Sequence, residues 1–398
     1  MKILQINSVC GVGSTGRIAV DLYKMASSRG HTCKIAYGRG QALSVAEEDT
    51  IRIGSGIGVN HHALMSRITD KTGFYSKYST KRFISKIKKH DPDIIHLHNI
   101  HGYYINIELL FKYLEKANKR VVWTLHDCWT FTGHCAHFDF CGCDKWKIAC
   151  HDCEQKFKYP ASLLIDNSAS NFLKKKSLFT SVKNLTIVTP SDWLASLVKE
   201  SFLGKYNVQV ISNGIDLNIF KHTDSDFRET HSLKDEFIIL GVANIWGERK
   251  GLDTFIRLSQ ELEEHFRMVL VGVDDNAKSM LPENVIGISR TDSIHELAEI
   301  YSAVDVFVNP TLEDNFPTTN LEALACETPV ITYNTGGSPE SLDKTCGVVV
   351  SKNNFGELKR AIFEMKNRKL NGKDCRTRAM QFDKESKYLS YMELYEGK

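Results

Sequence analysis

Short apolar segments alternate with stretches of helical length along the first half of the chain. Seven such segments occupy residues 2–8, 33–37, 51–53, 94–98, 121–126, 185–189 and 208–212. Many of their residues are β-branched, and such segments are typical of strands buried on both faces of a parallel sheet. The pattern therefore predicts alternating strands and helices in a doubly wound α/β domain.

The pattern restarts near residue 216. A second set of apolar segments lies at 237–242, 268–271, 285–288, 304–308, 329–333 and 348–350. Because a chain of 398 residues is too long for one hydrophobic core, we expect two domains, 1–215 and 216–375. The tight-turn sequence Asn213-Gly-Ile-Asp216 marks their junction. The charged stretch 376–398, with its spaced aromatic residues, predicts a terminal helical segment.

A glycine-rich stretch, residues 11–16, follows the first predicted strand and precedes an amphipathic helix predicted over 17–28. Glycines at a helix N-terminus allow a ligand to approach backbone N–H groups, so Gly13 and Gly16 are candidate binding residues. Ser14 or Thr15 is the expected helix cap. The spacing also matches the dinucleotide-binding fingerprint by letter, which alone is weak evidence for a dinucleotide.

Acidic residues crowd the end of the predicted strand 304–308. A helix is expected to begin near Pro317, because proline suits the first helical turn. Asp314 and Glu322 are then separated by seven residues, with one carboxylate on the loop and the other on the helix. Backbone N–H groups near Asn315 and Phe316 would meet a polar or anionic ligand there. The alternative for Glu322 is an exposed helix carboxylate.

The whole stretch, followed by Gly336-Gly-Ser-Pro-Glu340, resembles the donor-site signature of retaining glycosyltransferases of family 4. The resemblance extends over nearly the whole chain and is to enzymes of bacterial polysaccharide biosynthesis. It implies the GT-B fold: two doubly wound Rossmann-like domains facing a central cleft, with a C-terminal helix crossing back to the first domain. The family's first acid is usually Glu, whereas Asp314 stands here after Glu313. Which of these two carboxylates contacts the donor stays open.

Two cations, Arg249 and Lys250, precede a helix predicted over 252–262. Positive charges there oppose the helix macrodipole, so they are best explained by a bound phosphate. The alternative is a surface Arg-Lys pair. The family resemblance assigns both to the donor diphosphate, and by analogy it places Arg290 near the nucleobase.

The resemblance implies further roles. Glu322 would fix the ribose, and Asp314 with His126, at the end of the strand 121–126, would fix the sugar; a histidine with purely structural contacts is the alternative for His126. His98 and His101 are candidate acceptor residues or, equally, structural ones. The expected catalytic residues are His126, Lys250, Asp314 and Glu322, and the expected donor-binding residues are Gly13, Gly16, Arg249, Lys250, Arg290, Asp314, Asn315, Phe316 and Glu322.

The resemblance implies a retaining transfer of sugar from a nucleotide sugar to a saccharide or lipid-linked glycan in surface polysaccharide biosynthesis. No side-chain nucleophile is evident, so catalysis would come from positioning and charge stabilisation, without a cofactor. One alternative is a sugar-nucleotide epimerase or hydrolase on the same fold. The other is a metal-binding or sugar-nucleotide-binding scaffold. Motifs of P-loop kinases, zinc metalloproteases and serine hydrolases are absent from the sequence.

The net charge of +3 hides an asymmetry between the halves. Residues 1–215 carry 29 Lys and Arg against 17 Asp and Glu, while residues 216–398 carry 22 against 31. We expect the basic half to face a phosphate-bearing acceptor or the anionic inner membrane, not nucleic acid. Residues 81–89 hold its densest basic run, for which a solvated helix face is the alternative. Without a long apolar stretch or a leader, the expected location is cytoplasmic and peripheral to that membrane.

Six of the eleven cysteines fall within 26 residues, in an insertion at about 128–160. Cys150 and Cys153 have the spacing of a zinc knuckle, and Cys135 and Cys143 would complete four thiolates. A reducing compartment disfavours disulfides, so a structural zinc site and unconnected reduced thiols are the stronger alternatives. These four cysteines also align with an insertion in a subset of family 4 enzymes. We expect the insertion to lack a core of its own.

Overall fold

The structure is a computed structural model that describes residues 1–368 and 370–397. Lys369, in the second predicted domain, and Lys398, the end of the predicted terminal segment, lie outside the described residues. The chain forms two compact units. The first comprises Met1–Ile211 and Tyr388–Lys398, and the second is Ser212–Lys387.

The described part of the first unit contains a parallel sheet of seven strands with the order β3-β2-β1-β4-β5-β6-β7. Strand β1 lies inside the sheet, and its apolar side chains are fully buried because helices cover both faces. The strands are β1 Lys2–Asn7, β2 Thr32–Tyr37, β3 Thr50–Arg52, β4 Ile94–Leu97, β5 Arg120–Thr124, β6 Leu185–Thr189 and β7 Asn207–Val210. The helices are α1 Gly13–Ser28, α2 Gly56–Thr69, α3 Lys77–His90, α4 Ile107–Ala117, α5 Ser168–Phe179 and α6 Asp192–Glu200.

The second unit has a parallel sheet of six strands among its described residues, with the order β10-β9-β8-β11-β12-β13. Its strands are β8 Phe237–Val242, β9 Phe266–Val271, β10 Val285–Ile288, β11 Val306–Asn309, β12 Val330–Tyr333 and β13 Gly347–Val350. Its helices are α7 Phe227–Thr230, α8 Leu252–Glu261, α9 Asp275–Met280, α10 Ile294–Ala303, α11 Thr318–Ala325, α12 Phe355–Asn367 and α13 Gly372–Met380. The predicted pair of doubly wound α/β sheets is therefore confirmed.

Helix α1 begins four residues earlier than predicted. It starts at Gly13, after Val12 in an extended conformation, and no side chain caps it. The expectation that Ser14 or Thr15 caps the helix is wrong, because both residues already lie in its first turn. Gly13 has a positive φ of 65°, a conformation that glycine adopts without strain.

The last helix, α14 Lys384–Glu396, leaves the second unit, and from Tyr388 onward it belongs to the first. The Tyr395 hydroxyl is 2.5 Å from Nδ1 of His96, and the Tyr391 hydroxyl is 3.1 Å from Oγ1 of Thr124. Both tyrosines are buried. The predicted return of the C-terminal helix to the first domain is confirmed.

The insertion packs into the core of the first unit. Phe131, Phe138 and Trp146 contact one another, with ring centroids between 5.0 and 6.2 Å apart. All three are buried in a cluster that also contains apolar residues of β4 and β5, namely Ile95, Leu97, Val121 and Trp123. The insertion therefore depends on the core of the sheet, which its aromatic residues share.

Replacing Tyr395 by Phe should destabilise the first unit by about 1–3 kcal/mol, because the buried His96 loses its partner at Nδ1. Chemical denaturation followed by fluorescence or circular dichroism measures this free energy of unfolding. Tyr78→Phe is the matched control, since its ring is 73% exposed. Equal stability of the two variants would show that the contact between Tyr395 and His96 does not stabilise the fold.

Candidate active site

A lysine and a carboxylate meet in the loops that follow two adjacent central strands of the second unit. Nζ of Lys250 donates to Oδ2 of Asp314 at 2.5 Å. Lys250 follows β8, Asp314 follows β11, and these strands are paired. The two side chains are only 21% and 19% exposed, so the contact is partly shielded from water. A cation is thereby held in a defined position at the carboxyl edge of the sheet.

Arg249 joins the same two loops through the backbone. One guanidinium nitrogen donates to the carbonyl of Glu313 at 3.0 Å, and the Arg249 carbonyl accepts from the N–H of Leu312 at 2.9 Å. Both cations lie in a short 3-10 turn, Glu248–Lys250, which precedes α8 by one residue. They therefore stand immediately before the helix N-terminus, as the spacing predicts.

Glu322 projects from α11 and accepts a hydrogen bond from the Tyr301 hydroxyl at 3.0 Å. Burial, and then the nearby Glu322 carboxylate, raise the pKa of Tyr301 well above its usual value. Tyr301 is therefore a neutral phenol that can only donate to the carboxylate. Glu322 is half-buried and hydrogen-bonded, which differs from the exposed helix carboxylate considered as the alternative.

The residues around Asp314 are mostly inside the protein. Glu313, Asn315 and Phe316 are buried, and the Phe316 ring lies 5.6 Å from that of Phe382. Asp314 contacts Lys250 through its carboxylate, while Glu313 contributes its carbonyl to Arg249. The two adjacent acids thus have different contacts.

A buried polar network that the sequence analysis missed fixes α11 and the loop after β12. Asn320 accepts from Asn309 at 2.8 Å and donates to the hydroxyls of Ser338 and Ser341 at 3.1 and 2.9 Å. Asparagine inside a helix is a recognisable signal, because it is unfavourable there unless its side chain is satisfied. The network sets where the helix carrying Glu322 lies against the sheet.

Gly336 has a structural role close to Asp314. It adopts a φ of +56°, and a Cβ added there would lie 1.7 Å from the Asp314 carbonyl oxygen. The next N–H, of Gly337, donates to that same oxygen at 3.3 Å. Glycine is therefore required because this loop touches the backbone at Asp314.

The remaining predicted donor residues occupy other places in the fold. Arg290 is exposed just beyond the edge strand β10. Gly13 and Gly16 belong to the first turn of α1 in the first unit, where the Gly11 N–H donates to the Gly16 carbonyl at 3.1 Å. Their roles in donor binding stay predictions.

In the first unit, His126 belongs to a chain of hydrogen bonds. Its Nε2 lies 3.1 Å from Nδ1 of His98, whose Nε2 lies 3.0 Å from Oε1 of Gln5. The Gln5 amide nitrogen donates to the Ala19 carbonyl at 2.9 Å, which fixes the orientation of the amide. His98 must therefore donate from Nε2 and accept at Nδ1. His126 then donates from Nε2, so its Nδ1 carries a lone pair.

Burial keeps these histidines neutral. It lowers the pKa of His126 to about 4 despite the nearby Asp127 carboxylate. Burial, followed by repulsion from His96 and His126, holds the pKa of His98 well below its usual value. Both rings therefore act at neutral pH as hydrogen-bonding groups without charge.

His101 forms a second contact chain. Its Nε2 is 2.7 Å from Oδ2 of Asp127, and its Nδ1 is 3.0 Å from the Tyr159 hydroxyl. Burial alone would raise the pKa of Asp127, but His101 and other hydrogen-bond donors hold it at about 2. Like His98, His101 is buried with both ring nitrogens engaged. Their direct contact with an acceptor stays a prediction.

Family models match most of the chain. Residues 15–219 match the model described as Glycosyltransferase Family 4, and residues 236–367 match Glycosyl transferases group 1. The putative colanic acid biosynthesis glycosyl transferase WcaC of Escherichia coli (strain K12) is 25% identical over 376 residues, covering 90% of this chain and 89% of WcaC. The O-antigen chain mannosyltransferase RfbU of Salmonella typhimurium is 26% identical over 241 residues, covering 58% of this chain and 60% of RfbU.

Solved structures are similar over the whole chain. A sucrose-phosphate synthase from Thermosynechococcus elongatus superposes with a TM-score of 0.73 at 18% identity, covering 100% of this chain and 98% of that one. HepE from Anabaena, solved with UDP-glucose, has a TM-score of 0.69 at 15% identity, with full coverage of both chains. At these identities the similarity establishes the fold alone, and that fold is GT-B.

NMR of imidazole-labelled protein should show His126 neutral from pH 8 down to about pH 5, with the proton on Nε2. Because burial lowers its pKa to about 4, the ring should gain charge only below that range. The assignment uses His126→Gln, whose spectrum lacks the signal. A titration midpoint of His126 near pH 6.5, or a proton on its Nδ1, would show that the inferred pattern of donors and acceptors is wrong.

Proposed function

The chain belongs to glycosyltransferase family 4, and from this membership we propose that it transfers a sugar from a nucleotide donor with retention of anomeric configuration. It is a GT-B glycosyltransferase of polysaccharide or glycan biosynthesis. We assign the acceptor to saccharides or lipid-linked glycans, because RfbU is named an O-antigen chain mannosyltransferase and WcaC a colanic acid enzyme. The observation that carries the proposal is the position of two cations in the second unit: Lys250 is bonded to the Asp314 carboxylate and Arg249 to the Glu313 carbonyl.

The donor diphosphate is proposed to bind Lys250 and Arg249. The Lys250 ammonium has three N–H donors, of which Asp314 takes one, so further donors are available to a phosphate oxygen. Arg249 is exposed and its guanidinium has five N–H donors. Their position just before α8 adds the partial positive charge of a helix N-terminus. HepE, with the same fold, was solved with UDP.

We assign the ribose of the donor to Glu322. A carboxylate accepts well from two vicinal hydroxyls, and Tyr301 holds one of its oxygens in place. Tyr301 is a positioning residue in this arrangement. Asp314 and His126 are proposed to contact the transferred sugar, Asp314 by accepting from a hydroxyl. His126, whose ring is oriented by His98 and Gln5, would contact another hydroxyl.

The proposed chemistry takes place on one face of the sugar. The bond from the anomeric carbon to the diphosphate oxygen breaks as the acceptor oxygen forms its bond to that carbon from the same side. The acceptor proton passes to the departing phosphate oxygen. Lys250 and Arg249 stabilise the charge that grows on the diphosphate. Neutral His126 supplies no proton, and no metal or other cofactor is assigned to the reaction.

Product analysis tests the activity. The full chain is incubated with UDP-, GDP- and dTDP-sugars and lipid-linked saccharide acceptors from bacterial membranes. The proposal expects a glycoside whose anomeric configuration, measured by NMR coupling constants, equals that of the donor. Inversion would refute the retaining mechanism. Free sugar, or an epimerised donor without transfer, would establish the hydrolase or epimerase alternative.

Glu322→Ala should weaken binding of the nucleoside diphosphate roughly ten- to hundredfold, since a hydrogen bond to a charged group contributes about 1.5–3 kcal/mol. Isothermal titration with UDP, GDP and dTDP measures the affinity. Glu364→Ala, an exposed carboxylate on α12, is the control. If both variants bind like the original protein, Glu322 is not a donor residue.

We further propose that the first unit docks on the anionic surface of the inner membrane, at the cytoplasmic side. The first unit exposes several apolar side chains on segment 163–165 and on the nearby helix α2. The N–H of Leu163 donates to the Arg67 carbonyl at 2.7 Å, so this segment lies against the end of α2. The apolar patch consists of Leu64, Phe157, Leu163, Leu164 and Ile165, which are 49–67% exposed, and Arg67, Lys156 and Lys158 lie beside it in the sequence. Basic and apolar groups together suit a bilayer with acidic headgroups.

The basic run on α3 is a second contributor to the positive surface. Lys81, Arg82, Lys86, Lys88 and Lys89 are exposed, while Phe83 and Ile87 of the same helix are buried. Helix α3 thus has the buried apolar stripe that is also expected if its basic residues form an ordinary solvent-exposed face. No helix among the described residues combines the length and apolar character needed to cross a membrane.

A variant with Leu163→Ser and Leu164→Ser should lose most of its binding to phosphatidylglycerol vesicles at low salt. Each basic side chain near the surface contributes about 1 kcal/mol, so binding of the unchanged protein should also weaken with salt. Vesicle sedimentation measures the bound fraction, and Met280→Ser, exposed in the second unit, is the control. Equal binding to phosphatidylcholine vesicles at low salt would refute the docking proposal.

A further inference from the structure

Near the end of the insertion, a tyrosine reaches the carboxyl edge of the first sheet. The hydroxyl of Tyr159 is 3.0 Å from Nδ1 of His101, and Nε2 of His101 is 2.7 Å from Oδ2 of Asp127. Asp127 directly follows His126 in the sequence. Two hydrogen bonds therefore connect the tyrosine to the residue beside His126, which is proposed to contact the sugar. The insertion contributes a side chain to this edge of the sheet.

Tyr159 is fixed at both ends. The N–H of the buried Ala136 donates to the Tyr159 carbonyl at 3.4 Å. At the other end, burial, and then the neighbouring Tyr103 and Asp127, raise the pKa of the Tyr159 hydroxyl above its usual value. The residue as a whole is nevertheless 46% exposed. A neutral phenol, held by its hydroxyl, thus presents part of its surface to solvent.

A second tyrosine forms a corner with the first. The ring centroids of Tyr103 and Tyr159 are 6.4 Å apart, and the planes of the two rings meet at 77°. Tyr103 is half-buried and has a φ of +70°, which is uncommon for a residue other than glycine. Such conformations cluster at ligand sites, where the surrounding structure holds a side chain in a required position. We call these two rings the aromatic corner.

A cation flanks the aromatic corner. Arg39 follows β2, its side chain is exposed, and its N–H donates to the Ser8 carbonyl at 2.8 Å. A Cβ added at Gly102, the residue before Tyr103, would lie 3.7 Å from Nη1 of Arg39. The guanidinium therefore lies beside the segment that carries Tyr103. Its five N–H groups suit the hydroxyl and carboxylate oxygens of sugars.

We propose that the aromatic corner binds a pyranose ring of the acceptor, with Tyr159 against the apolar face of the sugar and Arg39 bonded to its oxygens. The inference rests on the proposed transfer to a saccharide. A pyranose has a face of C–H groups, which pack on the negative face of an aromatic ring. Binding sites for small ligands commonly combine aromatic surfaces with a few polar groups in this way. His101 and Asp127 are then positioning residues, since they hold Tyr159.

The insertion thereby gains a role in recognising the acceptor. Phe157, which belongs to the apolar patch of the proposed membrane-docking surface, stands two residues before Tyr159, with Lys158 between them. One short segment thus carries both a side chain for the bilayer and a side chain for a sugar. This arrangement suits a saccharide whose lipid stays in the membrane while its sugar enters the site.

The cysteines considered for zinc belong to the same insertion. Among the residues that the structure describes, no three His, Cys, Asp or Glu side chains are grouped as a metal site requires. Zinc binding by Cys135, Cys143, Cys150 and Cys153 stays a prediction.

Two variants separate the ring of Tyr159 from its hydroxyl. Tyr159→Phe and Tyr159→Leu both lose the contact with His101, but only Tyr159→Phe keeps an aromatic face. Saturation-transfer NMR of the full chain with the methyl pyranosides of glucose, galactose, mannose and glucuronic acid measures binding without a donor. We expect at least one pyranoside to bind, with affinity kept in Tyr159→Phe and weakened roughly tenfold in Tyr159→Leu. Tyr78→Leu, which changes a tyrosine that is 73% exposed, should bind like the unchanged protein.

Equal affinity of Tyr159→Phe and Tyr159→Leu would overturn the inference, because a role confined to holding His101 affects both variants alike. No saturation of any of the four pyranosides by the unchanged protein would overturn it as well. Arg39→Met keeps the test decisive if Tyr159→Leu does not fold, since the Arg39 side chain is exposed. Its affinity should fall, and an unchanged value would refute the site.

Transfer kinetics distinguish this inference from the proposed function. With lipid-linked saccharides from bacterial membranes, Tyr159→Leu should raise the KM for the acceptor about tenfold and leave the affinity for nucleoside diphosphates unchanged. If glycoside forms with the same acceptor KM in Tyr159→Leu and Tyr159→Phe, the aromatic corner is not an acceptor site and the transferase assignment stands. If pyranosides bind at Tyr159 but no donor gives a glycoside, the proposed function fails and the saccharide site stands.

Discussion

The ion pair between Lys250 and Asp314 organises the proposed donor site in the second unit. It ties the loops after two adjacent central strands, and the Arg249 contacts to Glu313 and Leu312 close the same junction. The pair is partly shielded from water, and its importance lies in the position in which it holds the cation. Gly336 reaches the Asp314 backbone from a third loop, and Asn320 fixes the helix that carries Glu322. The cation and both carboxylates are therefore held by a scaffold before any ligand binds, which is what electrostatic catalysis requires.

In the first unit, polar contacts form two layers at the carboxyl ends of the paired strands β4 and β5. His96 meets Thr124 at 2.8 Å, and just beyond the ends of the same two strands His98 meets His126. The ring centroids of His96 and His98 are 4.1 Å apart, so the two layers are stacked. Tyr391 and Tyr395 of the returning helix complete the inner layer. The C-terminal helix thus supports the layer beneath the one that contains His126.

Much of this architecture follows from the sequence. The strands were predictable because parallel sheets bury both faces, and the acids and cations because they follow strands at the carboxyl edge. The early start of α1 was not predictable, because Gly13 and Gly16 resemble a loop. The Asn320 network and the chain from Gln5 to His126 join residues distant in sequence, so spacing could not reveal them. The packing of Phe131, Phe138 and Trp146 of the insertion into the core of the sheet was not predictable, because these residues follow no helix or strand period.

We infer that the Lys250 ammonium, held in place by Asp314, binds the donor diphosphate. Isothermal titration of UDP, GDP and dTDP into the full chain identifies the nucleotide that binds most tightly, and the same titration is repeated on Lys250→Met. If Lys250 contacts the diphosphate, the variant should bind at least tenfold more weakly, a loss of about 1.4 kcal/mol or more. Lys366→Met, on the end of α12, should bind like the unchanged protein. Unchanged affinity in Lys250→Met would show that Lys250 does not contact the diphosphate.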